Sequence, residues 1–380
     1  MPASSHPKVV TCGGSPLTVA RPSRLFTGFL KTSACVVLRE RDAEALLMFS
    51  LPARIGLLAL LALAALAVSV FVGGSPLGPG EIARALTHPH AGGDANAIVW
   101  SLRVPRVAIA AFVGIALAVA GFLMQGMLRN PLVDPFLTGV SAGAGAAIAI
   151  AVALGVAAPF LPPLGFAAGL GTALLVALLA RRGSGIDAER LILAGVSLSA
   201  LFSSFVALVL LRLARNGADS ILAWLTGSLA GRGWNELLAT APYALAGLAV
   251  ALAAVPSLNA LRLGTSIARA VGVDVARTQW LLLGAASLLT ASAVSLSGIV
   301  GFVGLIVPHL ARRIVGSDGR YALVASALLG AGLVAVADAF CRALFPPIEI
   351  PLGVLLAFVG VPTFLYLYLR PAGATRLWGT

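Results

Sequence analysis

The sequence predicts an all-α, polytopic membrane protein with about ten transmembrane helices. Hydrophobic residues make up 59% of the chain and charged residues only 11%, whereas a soluble domain has roughly 25% charged residues. The apolar residues also fall into runs of about 20, the length of helix that crosses a hydrocarbon core of about 30 Å. No polar segment is long enough to bury a core of its own. We therefore predict one transmembrane domain over residues 48–380.

Residues 1–47 differ in composition from the rest of the chain. They carry six basic residues, and their apolar runs are short. A signal peptide would need one apolar core followed by a small-residue cleavage site, and neither is clear here. We interpret this segment as a disordered cytoplasmic extension, or as the product of a start assigned too far upstream. Met48 is the natural alternative start.

The first five predicted spans are apolar runs bounded by prolines, glycines or arginines. Such residues are typical of helix ends and of the membrane surface. The second run, which follows the string R-V-P-R, carries no charge between Arg106 and Arg129. Its glycines would let another helix approach closely. These spans cover residues 53–72, 107–128, 136–158, 164–180 and 191–211.

The second half of the chain contains one segment that we do not expect to cross. Residues 212–234 are too polar and glycine-rich for a span, but 221–230 can form a short helix enclosed by protein. The apolar stretch that ends near residue 314 is too long for one helix, and the glycines between 298 and 304 supply a break. The later spans are 237–255, 280–297, a short 304–312, 321–339 and 352–369.

The arginines support an arrangement with both chain ends inside. On that topology thirteen arginines lie on the inner side and seven on the outer side, and the six basic residues of the extension complete the 26. Cytoplasmic loops favour positive charge in this way. The net charge of +12 could also indicate nucleic-acid binding. However, the basic residues are scattered singly through short loops and form no patch, so membrane topology explains them better.

Several kinds of chemistry are missing from the sequence. Neither Lys8 nor Lys31 follows the glycine pattern of a P-loop, so the chain lacks that means of binding ATP. The spans have no paired carboxylates, and Asp338, the acidic residue nearest to mid-span, lies toward an outer end. Proton- or ion-coupled transporters usually need such groups. We expect neither secondary transport nor an enzyme active site.

We also expect no metal site, no cofactor and no disulfide framework. Two histidines that lie two residues apart in a polar loop are weak evidence for a metal, and a histidine beside two arginines is typical of a membrane interface. The cysteines are odd in number and lack motif spacing. The residues considered were His88, His90, Asp94, His309, Cys12, Cys35 and Cys341.

Uncommon strings recur along the chain in an order that resembles one transporter family. They are R-V-P-R (103–106), M-Q-G-x-x-R-N-P-L-V-D-P (124–135), L-x-G-V-S-A-G-A (137–144), L-A-G-V-S (193–197), W-L-T-G-S (224–228), G-F-V-G-L-I-V-P-H-L-A-R (301–312) and I-P-L-G-V (350–354). Over about residues 53–370 the chain is similar to the ABC importer permeases that take up ferric siderophores, haem or vitamin B12.

The resemblance implies a permease of the type II ABC importer fold in a bacterial inner membrane. Such a permease pairs with a second copy, binds two ATPase subunits inside and a periplasmic substrate-binding protein outside, and works by alternating access. This pairing is a homodimer in the family, but the sequence does not decide between a homodimer and a heterodimer here, nor among a siderophore, haem and cobalamin as the cargo. The alternatives are a secondary transporter or facilitator without an ATPase, and a structural subunit of another membrane complex.

The resemblance also implies roles for particular residues. Arg103, Arg106 and Arg342 would receive carboxylates of the binding protein, because a guanidinium can hold a carboxylate with two hydrogen bonds. The alternative is that these arginines only anchor span ends at the interface. Asn130 and Leu132 would narrow the cytoplasmic mouth. The loop 184–189 departs from the family pattern at Asp187 and Ala188, where small hydroxyl residues are common.

Residues 261–275 resemble the segment that couples these permeases to the ATPase. We expect two short helices separated around Gly272, with Ile267, Ala268 and Val271 forming a contact face. An ordinary amphipathic loop is the alternative. Thr265 and Ser266 stand where the family usually has acidic residues. The residues assigned to coupling are Gly264, Ile267, Ala268, Arg269, Val271 and Gly272.

Overall fold

The computed structural model describes residues 50–73, 77–90, 92–212, 218–346 and 348–369. Helices dominate this part of the chain, and one short antiparallel hairpin pairs β1 (Arg181–Arg182) with β2 (Gly185–Ile186). The predicted all-α fold class is confirmed. The expectations for residues 1–47 and for a start at Met48 lie outside the described residues and stay predictions.

Fourteen α-helices follow one another in the described residues. A π-helical turn, Val99–Arg103, joins the third to the fourth, so that 94–128 forms one continuous rod. The helices are α1 (Leu51–Phe71), α2 (Pro79–Thr87), α3 (Asp94–Ile98), α4 (Val104–Leu128), α5 (Val140–Ala153), α6 (Leu161–Leu179), α7 (Ala188–Arg212), α8 (Ala218–Thr226), α9 (Trp234–Leu263), α10 (Thr265–Ala270), α11 (Val275–Ser297), α12 (Val303–Val315), α13 (Gly319–Ala343) and α14 (Leu352–Leu369).

Seven of these rods are long and apolar enough to cross a membrane within the described ranges. They correspond to seven of the ten spans predicted from the sequence. The other three predicted spans, the third, eighth and tenth, overlap α5, α12 and α14. The third prediction was too long, because α5 has 14 residues and reaches only about 21 Å. A 3₁₀ turn at Pro135–Thr138 and Gly139 at φ 73° replace its expected first turns.

Helix α4 lies at the centre of the bundle. It packs against α9, α11, α12 and α13, and its side chains are buried nearly all the way round. Small residues make this possible: a Cβ on Gly121 would lie 1.9 Å from the carbonyl oxygen of Gly304 in α12. By contrast, α1 buries few of its residues and lies at the edge of the bundle.

Three places where helices end or begin lie together and pair their backbone polar groups with one another. The Ser228 amide donates to the Ser297 carbonyl at 2.8 Å, and the Leu352 amide donates to the Gly227 carbonyl at 2.8 Å. The end of α8, the gap between α11 and α12 and the start of α14 therefore satisfy one another's polar groups. Irregular backbone at membrane depth requires such enclosure. The short, non-crossing helix expected over 221–230 is present as α8.

Candidate functional site

Two of the three arginines that the sequence predicts on the outer face contact the C-terminal end of α1. Arg103 donates from Nη1 to the carbonyls of Val70 and Phe71, at 2.9 and 3.0 Å. Arg342 donates to the carbonyls of Val72 and Ser69, at 2.7 and 3.0 Å. Both arginines are only 5% exposed. Their guanidinium groups therefore satisfy the last carbonyls of a helix, which would otherwise have no partner.

The third arginine lies in an ion-pair network nearer the surface. Arg106 contacts Asp338 through Nη2 at 2.9 Å and Glu349 through the same nitrogen at 2.8 Å. Asp338 also accepts from Nε of Arg342 at 3.0 Å. Asp338 is 1% exposed, whereas the Glu349 side chain is 39% exposed. A buried carboxylate with two arginines is well compensated, and Glu349 is the member of this network that meets solvent.

An outer cavity of about 430 Å³ lies beside this network. Arg106 and Glu349 line one side of it, and Arg232 and Glu236 line another. Arg232 donates from Nε to the Leu296 carbonyl at 3.2 Å, and burial lowers its pKa. The cavity thus presents charged groups of both signs.

The predicted gate residues lie at the end of α4. Arg129 ends that helix in the left-handed conformation, with φ 51°, and Asn130 follows it. The Asn130 side-chain oxygen accepts from the Leu132 amide at 2.9 Å, an Asx turn that fixes the direction of Leu132. Leu132 is 43% exposed. These positions put Leu132 on the surface at the inner end of the second span, where its gating role stays a prediction.

The sequence analysis gave no role to Gln125, which the structure places in the core. Its Nε2 donates to the carbonyls of Gly304 and Leu305, both at 3.1 Å, and its Oε1 accepts from Arg312. Gln125 is completely buried. It therefore ties α4 to both ends of α12. A lone glutamine inside an uncharged apolar run was the signal that could have identified it.

The coupling segment contains one short helix, so the expectation of two was wrong. Helix α10 ends at Ala270, Gly272 turns the chain at φ 83°, and Asp274 then caps α11 directly. The Asp274 carboxylate accepts from the Arg277 amide at 3.0 Å. Because this cap starts the seventh span at once, no residues are left for a second short helix.

The proposed contact face also needs a correction at Ala268. Ile267 and Val271 are 48% and 65% exposed, but Ala268 is fully buried within the chain. It packs into the main core and cannot contact another subunit. Arg269 is exposed, whereas Gly264 is buried, and Gly264 and Gly272 are the bends that flank α10. The coupling role of the other residues stays a prediction.

Two carboxylates stabilise helix starts on the face that the sequence predicts to be cytoplasmic. Asp187 accepts from the Arg190 amide at 3.1 Å, and this bond holds the pKa of Asp187 below its usual value. Asp318 accepts from the Arg320 amide at 3.0 Å, which lowers its pKa in the same way. Asp187 thus caps the N-terminus of α7.

Comparison with known proteins identifies relatives over most of the chain. Residues 60–370 match the FecCD transport family. A hemin transport system permease of Yersinia pestis is 37% identical over 288 residues, which cover 73% of this chain and 85% of the relative. A cobalamin import system permease of Halobacterium salinarum is 38% identical over 281 residues, 72% of this chain and 73% of that protein.

A solved structure shares the architecture as well. It is described as a metal-chelate type ABC transporter in an inward-facing conformation, and it is 32% identical in sequence. The TM-score is 0.75, over 83% of this chain and 99% of that one.

Proposed function

Because the chain belongs to the FecCD transport family, we propose that it is the membrane-spanning permease subunit of an ATP-driven importer for iron chelates, haem or cobalamin. The observation that carries this proposal is the family match over residues 60–370. That range includes every helix from the middle of α1 to the end of α14. The chain itself moves cargo by alternating access and performs no covalent chemistry.

The partners follow from the same proposal. The sequence has no P-loop, so separate ATPase subunits hydrolyse ATP on the inner face. There the exposed apolar side chains of Ile267 and Val271 offer a contact that a groove on the ATPase would bury. A second copy of the permease completes the translocation path, and the location is the plasma membrane of a bacterial cell.

A substrate-binding protein docks on the outer face in this proposal. Arg106, with its solvent-facing partner Glu349, and the adjoining cavity support a docking site there. Arg103 and Arg342 are held by the end of α1. They would support this surface from beneath, and direct contact of all three arginines with the binding protein stays a prediction.

Transport measurements test this function. The permease is reconstituted in vesicles with its ATPase and binding protein, and uptake of a labelled ferric siderophore, haem and cyanocobalamin is compared with and without ATP. We expect ATP-dependent uptake of one of the three. ATP-independent uptake driven by an ion gradient would favour the alternative of a secondary transporter, and no uptake of any of them would contradict the cargo class.

A further inference from the structure

An apolar groove opens on the side of the bundle, between α1, α12, α13 and α14. Its volume is about 370 Å³. Leu58, Ala62 and Ala65 line it from α1, and Ile306 and Leu310 line it from α12. The groove therefore offers a hydrocarbon-like surface rather than a site for a polar ligand.

The polar content of the groove is confined to one side chain. Among its lining residues Thr363 alone carries a polar side chain, and its hydroxyl donates to the Val359 carbonyl of its own helix at 2.7 Å. No lining side chain thus calls for a hydrogen bond from an occupant. An apolar occupant loses nothing by filling such a groove.

The groove lies around the middle of the membrane-spanning length of α1. Its α1 wall runs from Leu58 to Ala65, about 10 Å along the helix axis. One leaflet of the hydrocarbon core is about 15 Å thick. Since α1 begins at Leu51 on the predicted inner side, this wall lies roughly 10 to 21 Å from the start of the helix and spans the midplane. An acyl chain that extends from the inner leaflet to the midplane would therefore fill the inner part of the groove. Leu60 and Leu63, on the faces of α1 beside the groove, are each 64% exposed, as expected of side chains in contact with lipid.

Two arginines stand at the cytoplasmic end of the groove. Arg54 precedes Leu58 by four residues, and Arg313 follows Leu310 by three, so each lies on the lining face of its own helix one turn nearer the cytoplasm. Nη1 of Arg54 donates to the Ile314 carbonyl at 3.0 Å. This bond holds the Arg54 guanidinium against the end of α12, next to the residue that follows Arg313 in the chain.

We propose that the groove binds one acyl chain of an anionic phospholipid of the inner leaflet, with the lipid phosphate held between Arg54 and Arg313. The apolar side chains of the groove would contact the acyl chain. The two positively charged guanidinium groups would contact the anionic headgroup at the depth where headgroups lie. Basic residues between transmembrane helices on the cytoplasmic side favour such lipids. This inference does not depend on the cargo or on the transport function.

Native mass spectrometry of the full-length permease tests the proposal. The detergent-solubilised protein is titrated with phosphatidylglycerol and, in parallel, with phosphatidylcholine of the same acyl chains. We expect retained phosphatidylglycerol and little phosphatidylcholine. Arg54→Gln and Arg313→Gln should each weaken phosphatidylglycerol binding about five-fold. Arg320→Gln removes an exposed arginine from the same membrane face, outside the groove, and should leave binding unchanged.

A second pair of variants separates the acyl-chain site from general surface charge. Ala65→Phe places a ring in the groove, whereas Ala64→Phe places it on the exposed neighbouring face of α1. Only the first should reduce lipid retention. Equal retention in Ala65→Phe and Ala64→Phe, or equal binding of the two lipids, would overturn the proposal.

The same measurements distinguish the lipid from two other possible occupants of the groove. If a second copy of the permease covers it, Ala65→Phe will lower the dimer fraction in the same spectra. If residues 1–47 cover it, a chain that starts at Met48 will retain more phosphatidylglycerol than the full-length protein. Either result contradicts the lipid assignment.

Discussion

Gly114 of α4 and Gly330 of α13 face each other where these two helices cross. A Cβ on Gly114 would lie 2.1 Å from the carbonyl oxygen of Gly330, and a Cβ on Gly330 would lie 2.3 Å from the carbonyl oxygen of Gly114. Each glycine therefore makes room for the backbone of the other helix. Close backbone contact of this kind is how transmembrane helices associate without a hydrophobic driving force.

This crossing predicts that Gly114→Ala destabilises the permease. The added methyl group must push apart two backbones, and we expect a loss of about 2 kcal/mol, within the range for overpacking of a core. The fraction of monodisperse protein that survives heating in detergent measures the effect. Gly284→Ala is the matched control, because it lies within α11 and a Cβ there meets nothing within 4 Å. An equal loss of stability in Gly114→Ala and Gly284→Ala would contradict the idea that close packing of α4 against α13 stabilises the permease.

Removing Arg342 should destabilise the outer end of the bundle. Arg342→Met leaves the carbonyls of Val72 and Ser69 without this donor and takes one partner from the buried Asp338. Breaking a buried ion pair costs about 3–5 kcal/mol. Arg84→Met, the same exchange at an exposed position of α2, should change stability by no more than about 0.5 kcal/mol. Thermal unfolding of the two variants in one detergent compares them, and equal midpoints would contradict the structural role of Arg342.

Glu349→Gln tests docking without damaging the core. It removes the solvent-exposed carboxylate that holds Arg106 and leaves the pair of Arg106 with buried Asp338 in place. If Arg106 receives a carboxylate of the binding protein, the variant should bind that protein several-fold more tightly, because a competing negative charge is gone. Binding should also weaken with added salt.

The control for this experiment is Asp94→Asn, which neutralises an exposed carboxylate elsewhere on the outer side. Biolayer interferometry with the immobilised permease measures both variants. A gain in affinity that is equal in the two would assign the effect to net charge alone. No gain in Glu349→Gln would argue that Arg106 serves only the internal network.

Coupling to the ATPase should depend on Ile267. Ile267→Glu puts a charge on an exposed apolar side chain of α10, and burying an unpaired charge at a subunit interface is costly. We expect loss of cargo-stimulated ATP hydrolysis and of ATPase binding, with the permease still inserted and monodisperse. Ser317→Glu adds the same charge to an exposed loop on the same face and should retain coupling.

A charge at Ala268 should act differently. Since this residue is fully buried, Ala268→Glu should reduce the yield of folded permease as well as coupling. If Ala268→Glu folds normally and loses only coupling, the buried position of this residue in α10 is wrong.

The sequence by itself located the ten apolar segments in their order along the chain, and each of them overlaps a helix in the structure. Each span can be recognised locally, because a run of about 20 apolar residues has no favourable place other than the bilayer. Local sequence also predicted the short helix α8 and the break before α12, because polar and glycine-rich stretches mark both places. Three features were misjudged: the length of the third span, the second short coupling helix and the exposure of Ala268.

Only the tertiary structure decided what each outer arginine contacts. Arg106 and Asp338 are 232 positions apart in the chain, and Gln125 and Gly304 are 179 apart. Spacing along one helix cannot reveal such partners, because they depend on how separate helices pack. The same is true of the groove beneath Arg54 and Arg313, which exists only because four helices leave a gap between them. The bilayer selects helices from local composition, whereas buried polar groups find their partners only after the helices have assembled.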